Sequence, residues 1–228
     1  MTRPGRPSRG WFITLEGPEG AGKTTQTTAL AEHLEGRGLD VHVTREPGGT
    51  WLGERLREVL LARTDPVSPT DPLTDAFLFN AARRQLVTEV IRPALDAGRS
   101  IVCARFADST LAYQGYGAGV PLETLRALEA IATDGLSPDL TIVLDVPVEI
   151  GLARKAPGDV TRFEAEFDLA FHRRVRDGFR ALAAAEPERF VVVDAGRPAS
   201  EVALAVAAAA DRLAVADEPK HTAMRTTG

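Results

Sequence analysis

The segment Gly17-Pro-Glu-Gly-Ala-Gly-Lys-Thr24 follows an apolar run at residues 11–15 and precedes a stretch patterned as a helix. A glycine, four residues, then Gly-Lys-Thr is the spacing of a phosphate-binding loop. Nothing else in the chain constrains its fold as strongly, because such a loop works only between a buried strand and a helix N-terminus. Gly17, Gly20 and Gly22 let the backbone close into a nest whose amides face a ligand that side chains would block. The dipole of the following helix adds positive potential at the same point. Ala21 and Thr25 complete the stretch expected to touch a nucleoside triphosphate. Lys23 is placed to reach the β- and γ-phosphates, and Thr24 to help hold Mg²⁺. A plain glycine-rich turn would leave the order of strand, loop and amphipathic helix unexplained.

The rest of the chain repeats that alternation. Strands are expected at 11–16, 40–44, 100–103, 140–145 and 190–194. Helices are expected at about 22–36, 52–62, 72–97, 107–116, 122–133, 147–155 and 199–214, with Asp71 capping the third and Pro72 at its first position. Phe163, Phe167, Phe171, Val175 and Phe179 recur every fourth residue and predict one long amphipathic helix. Strands alternating with helices imply an α/β fold, a five-stranded parallel sheet covered by helices on both faces. Residues 1–9, rich in Arg, Pro, Gly and Ser, read as a disordered arm, 10–214 as one domain and 215–228 as a disordered tail. Pro157 and Gly158 interrupt the pattern at about 155–162, as in a short lid.

A formal net charge of −5 over 228 residues argues against general nucleic-acid binding, which needs a basic face. The one cysteine, Cys103, excludes an intrachain disulfide and fits a reducing compartment. No apolar run has membrane-spanning length, so the expectation is a cytoplasmic protein acting on small molecules, with no nucleic-acid or membrane partner.

Four further stretches carry chemistry. At the end of the second strand, Arg45-Glu-Pro47-Gly-Gly-Thr50 offers a guanidinium fork suited to phosphate and glycines that let a ligand approach the backbone. Read alone, it fits a turn with a surface ion pair nearly as well. Phe79 and Arg83 stand one helical turn apart, so an aromatic face and a guanidinium could grip one base, although an isolated phenylalanine here fits the core better. Arg105 through Gly115 gathers Arg105, Ser109, Thr110, Tyr113 and Gln114 beside a strand terminus, where a solvated loop explains Tyr113 and Arg105 poorly. Arg154, Lys155 and Arg162 flank the Pro157–Gly158 break and suit a lid over phosphates as well as they suit a charged surface loop.

Taken together, these stretches resemble thymidylate kinases, in the bacterial form with a glutamate in the phosphate-binding loop. The resemblance is carried by Glu-Gly-Pro-Glu-Gly-Ala-Gly-Lys-Thr-Thr at 16–25, Arg-Glu-Pro-Gly-Gly-Thr at 45–50, Phe-Asn-Ala-Ala-Arg at 79–83 and Ser-Thr-Leu-Ala-Tyr-Gln-Gly at 109–115. It runs from about residue 11 to 213. It implies a P-loop nucleoside monophosphate kinase fold and transfer of the ATP γ-phosphoryl group to thymidine monophosphate with Mg²⁺, in a homodimer. By the same resemblance Glu19 faces the acceptor's sugar, while Arg45 and Arg105 hold its phosphate. Phe79 stacks on thymine, Arg83 bonds its edge, Pro47, Ser109, Thr110 and Gln114 line the pocket, and Tyr113 crowds the 2′ position. Arg154 lies against adenine near Arg197. Lys23, Arg105, Glu19 and a lid arginine, Arg162 or Arg154, would act in transfer, with Arg162 the first choice. One position departs from the family pattern. Ala104 stands where an aspartate precedes the arginine at the third strand's end, which implies weakened turnover. Two other readings accommodate the same residues: an impaired ATP-binding protein, and a kinase for another nucleoside monophosphate such as dUMP.

Overall fold

A computed structural model describes residues 10–62, 69–156 and 160–216, with side chains through Leu213. Five strands, β1 (Phe12–Glu16), β2 (Val41–Arg45), β3 (Ser100–Ala104), β4 (Leu140–Asp145) and β5 (Phe190–Asp194), form one sheet in the order β2-β3-β1-β4-β5. Every pairing is parallel. The three inner strands are buried along almost their whole length, whereas β2 and β5 alternate buried and exposed residues because each lies at an edge.

Helices cover both faces. On one face α1 (Lys23–Gly36) and α10 (Ala199–Ala216) close a core around Ile13, Leu15, Leu34, Ile142 and Val206. The opposite face splits into two clusters. One joins Phe12, Leu86, Ile91 and Phe106; the other joins Val143, Tyr113, Phe163, Phe171 and Phe179. The helices here are α2 (Trp51–Leu61), α3 (Pro72–Leu86), α4 (Arg92–Asp96), α5 (Ala107–Thr110), α6 (Leu122–Thr133) and α9 (Leu169–Ala185), with α7 (Val148–Ala153) and α8 (Arg162–Glu166) near the strand ends. Asp71 caps α3 as expected, its carboxylate accepting from Leu73 and Thr74 N–H, with Pro72 in the first turn.

Three expectations are modified. The helix from Pro72 reaches Asp96, but a π-turn at Val87–Ile91 divides it into α3 and α4. A second π-helical stretch, Leu111–Gly117, continues α5 and widens the helix that carries Tyr113 and Gln114. The single long phenylalanine helix is two helices. The chain is extended at Phe167, and Asp168 starts α9 afresh by accepting from Phe171 N–H. The period survives the break because Phe163, Phe167 and Phe171 still stack in sequence, at centroid separations of 5.7 and 4.0 Å. The arm at 1–9, lid positions 157–159 and the tail beyond 216 lie outside the described residues, and the last helix runs two residues past the expected end at 214.

β1 sits at the centre, with β3 on one side and β4 on the other. In open α/β sheets ligands bind outside the carboxyl ends of the strands where the order reverses. The phosphate loop leaves β1 there, and the Arg45 and Arg105 stretches leave β2 and β3 beside it.

Candidate active site

A cleft of about 1050 Å³ opens over these strand ends. One wall is the phosphate loop, with residues 19–25 facing the space. Gly22 is left-handed (φ 88°) and starts α1 with no side-chain cap, and the first turn of α1 holds no acidic residue. The helix N-terminus therefore presents amides to an anion instead of to its own side chains. Gly20 allows close packing on α7; a Cβ there would lie 1.7 Å from the Gly151 carbonyl oxygen. Gly17 does not line the cleft, but its carbonyl accepts from Lys23 Nζ at 2.9 Å, and Pro18 O accepts from the same ammonium at 2.8 Å. Burial, then the charge of Arg105, pull the Lys23 pKa down against Glu19 and Glu16. Phosphate oxygens at the loop would reverse that shift.

Glu19 is the hub of the cleft. Its Oε1 accepts from Arg105 Nη2 at 2.5 Å and from the Tyr113 hydroxyl at 2.7 Å, and Lys155 Nζ lies 3.7 Å from Oε2. Burial alone would raise this carboxyl, yet Arg105, Lys23, Lys155 and Tyr113 together hold it well below the ordinary carboxylate range. Arg105 itself adopts φ 68°, a conformation that costs a non-glycine residue about 1–3 kcal/mol and persists where surroundings enforce it. Its guanidinium lies 5.0 Å from the Tyr113 ring centre.

The far wall is assembled from distant segments. Arg83 on α3 is only 1% exposed. Its Nε and Nη2 reach Glu46 Oε2 at 2.9 and 2.7 Å, Nη1 reaches Asn80 Oδ1 at 3.0 Å, and Nη2 also donates to Phe106 O and Thr110 Oγ1. Those bonds fix the guanidinium at the cleft wall. Burial pushes the Glu46 carboxyl up against the pull of Arg83. Phe79 is half-buried one turn before Arg83, 6.2 Å from the Phe163 ring, and Tyr113 meets Phe163 edge-on at 5.6 Å. Pro47, Ser109, Thr110 and Gln114 complete this wall. An aromatic face beside a fixed guanidinium and buried hydroxyl and amide groups can hold a planar heterocycle.

At the opposite end Arg154 and Arg197 line the cleft, and Arg154 Nη1 donates to Ala195 O at 2.9 Å, two residues before Arg197. Besides Gly17, two expected residues do not reach the cleft. Arg45 is exposed, and its Nη2 donates to both carboxylate oxygens of Glu54 at 3.0 Å; Arg57, nearly two turns into α2, lines the cleft instead and donates to Pro47 O at 2.9 Å. Arg162 is not over the phosphates. It is 3% exposed and paired with Asp75 at 2.7 Å, behind Phe163 in a separate small cavity. Burial beneath the stacked phenylalanines, with a carboxylate at hand, outweighs exposure at the lid. The cation that faces Glu19 from the lid side is Lys155, which also bonds Glu164 at 2.8 Å. Glu46 and Arg57 are charged cleft residues to which sequence reasoning assigned no role, and Lys155 is one it left without a partner. Only Lys155 carried a signal, as one of three basic residues flanking the break.

Known proteins bear on this geometry. The family model described as thymidylate kinase matches residues 15–206. A thymidylate kinase of Deinococcus radiodurans is 55% identical over 196 residues, 86% of this chain and 93% of its own. That of Desulfovibrio desulfuricans is 53% identical over 85% of this chain and 91% of its own. Among solved structures, thymidylate kinase from Ehrlichia chaffeensis superposes with a TM-score of 0.69 at 36% identity, over 87% of this chain and 97% of that one. A parallel sheet with a phosphate loop at its switch point, a second binding wall opposite, and a family match across both make the conclusion plain: this chain belongs to the thymidylate kinase family.

Proposed function

We propose that this cleft transfers the γ-phosphoryl group of ATP to the phosphate of thymidine monophosphate, giving thymidine diphosphate and ADP. The observation that carries the reading is the cleft itself. A nucleotide-phosphate wall and a base-sized wall face each other across Glu19 and Arg105. Phosphoryl transfer asks a protein chiefly to bring two phosphates into line and to neutralise charge.

The triphosphate lies on the amides of residues 20–25, with adenine toward Arg154 and Arg197. Thymine stacks on Phe79 with its edge toward Arg83 and Gln114. Arg105, with Arg57 in the place expected of Arg45, holds the acceptor phosphate. Tyr113 crowds the 2′ side of the sugar, and Glu19 faces its 3′-hydroxyl. An acceptor phosphate oxygen attacks the γ-phosphorus as the bond to the β,γ-bridging oxygen breaks, and the electron pair leaves with ADP. Lys23, Arg105 and Lys155 neutralise the charge that spreads over the transferring group.

Mg²⁺ fits the donor set. An ion of this kind is usually held by substrate phosphates and water with one or two protein oxygens, and the Thr24 side chain at the start of α1 faces the cleft. The Thr24 hydroxyl at the loop would be the protein's ligand to it, and the bound ion would supply neutralisation of phosphate charge.

Homodimerisation is supported by Trp51 and Val59 on α2, Phe77 on α3 and Ile131 on α6, all exposed on adjacent helices. No helix among the described residues is long and apolar enough to cross a membrane, and the single cysteine favours the cytoplasm. Residues 10–214 form one domain in this reading, with a short lid at about 155–162. An ADP-release assay across nucleoside monophosphates tests the assignment. Turnover should be fastest with dTMP; equal or faster turnover with dUMP, or none with either, would overturn it.

A further inference from the structure

The reaction described above gives no role to the buried carboxylate Glu16. Glu16 ends β1 and is fully buried, and both of its oxygens are committed to the stretch that leaves β3, one to the turn and one to α5. Oε1 accepts from Phe106 N–H at 2.7 Å, and Oε2 accepts from the Ser109 hydroxyl at 2.6 Å. Those two anchors fix Phe106 and the first turn of α5, immediately after Arg105, the residue held at φ 68°. The Ser109 oxygen also lies 3.4 Å from Arg105 Nη1, where it accepts, so a path of bonds runs from Glu16 through Ser109 to the guanidinium. On the strand side the turn is pinned by Arg105 N–H donating to Leu15 O at 3.0 Å.

A carboxylate is an expensive way to close a turn. Burial, then the charge of Asp108, push Glu16 up to about 7, against Ser109, Arg105 and the Phe106 amide. Lys23, Arg83 and Cys103 are the other titratable groups whose electrostatics involve it. A neutral amide of the same shape could accept from Phe106 but would present a donor to Ser109, turning the hydroxyl away from its bridging arrangement. Only the carboxylate fork offers two acceptors at once. We infer that Glu16 is a positioning residue, whose two-pronged hold on the β3–α5 turn aims Arg105 at the acceptor phosphate. This rests on the proposed role of Arg105.

The test uses the full chain and four variants: Glu16→Gln, Ser109→Ala, the two combined, and Arg105→Ala. Affinities for dTMP and ATP are measured by calorimetry beside kcat and the melting temperature. Glu16→Gln should weaken dTMP at least about fivefold and slow kcat about tenfold while ATP affinity stays within about twofold, a split that general loosening of the fold would not produce. Ser109→Ala should move the same quantities in the same direction. The double variant should be no worse than Glu16→Gln alone, because both act along one path. Additive losses, equal losses for both nucleotides, or unchanged dTMP affinity in Glu16→Gln would overturn the inference. Should Glu16→Gln fail to fold, an unaltered dTMP affinity in Ser109→Ala would overturn it instead. Arg105→Ala separates the two levels. Unchanged dTMP affinity there removes the role of Arg105 itself, whereas a loss there beside parental behaviour in Glu16→Gln removes only the role of Glu16.

Discussion

At one end of the cleft a single run, residues 17–24, crosses from β1 to α1, and positive-φ glycines set its shape. At the other end the wall draws Glu46 from the end of β2, Phe79 and Arg83 from α3, and Thr110, Tyr113 and Gln114 from the helix after β3. The loop is a local conformation that displays backbone amides. The wall is a tertiary network closed around one buried guanidinium, so its binding groups also help to hold the fold together. Changing chemistry at the first end should cost turnover without stability. The same kind of change at the second should cost both.

The sharpest way to break that contrast is at Arg83. Arg83→Leu leaves Glu46 buried without its cation, and breaking a buried pair by removing one partner costs about 3–5 kcal/mol of folding stability. A chemical denaturation curve reads this directly; a loss under about 1 kcal/mol would mean that the wall is not part of the fold's support. Next in size is Lys23→Ala. Losing preorganised electrostatic stabilisation commonly costs about a hundredfold or more in kcat. The melting temperature should hold, since Lys23 bonds only loop carbonyls. Turnover within about threefold of the parent would remove Lys23 from the phosphate site.

The same contrast explains what was legible in the sequence. The loop could be read residue by residue because its geometry depends on glycine spacing and on a strand and helix that adjoin it in the chain. The sheet was legible for a similar reason: β4 and β5 fall at the expected residues, and the apolar runs are strands because the inner ones are buried on both faces. Arg83 and Phe79 could be placed on one helix face, but not the Glu46 that fixes Arg83, which lies 37 residues away in the chain. Arg45 and Arg57 could not be told apart as cleft residues. Glu54, nine residues after Arg45, captures it, and helix geometry then leaves Arg57 on the inner side. Arg162 was misplaced because its position beside the Pro157–Gly158 break does not say which carboxylate its side chain meets. Here Asp75, from a helix almost ninety residues earlier, waits beneath the phenylalanines.

A smaller effect sharpens the division within the wall itself. Phe79 is half-buried and contributes a ring face, not a bond in the Arg83 network. Phe79→Ala should therefore weaken dTMP by about 1–3 kcal/mol, the usual loss for one base–aromatic stack, with ATP affinity unchanged. Equal loss for both nucleotides would make Phe79 a core residue that merely borders the cleft.

The smallest effect is expected where the two regions meet. Ala104 ends β3 and pairs laterally with Leu15 of β1 on one side and Arg45 of β2 on the other, so it stands between the strand that feeds the loop and the strand that feeds the wall. Its carbonyl accepts from Glu46 N–H at 2.9 Å, a bond that any side chain at 104 would leave in place. The next residue is Arg105, whose guanidinium has Glu19 as its carboxylate partner. An aspartate at 104 would add a second carboxylate beside Arg105 and beside the phosphates, able to orient water on a bound Mg²⁺ and to steady the arginine during transfer. Ala104→Asp should then raise kcat by at least about tenfold, or roughly 1.4 kcal/mol of transition-state stabilisation. The dTMP dissociation constant should move little, because the wall that grips the base is untouched. The Mg²⁺ concentration for half-maximal rate should fall in the same variant, which ties the gain to the metal and not to general repair of the turn. A faster enzyme with an unchanged Mg²⁺ requirement would assign the gain to Arg105 alone. An enzyme no faster than the parent would mean that Glu19 and Glu16 already supply the acidic groups this site uses, and that position 104 is free to be alanine.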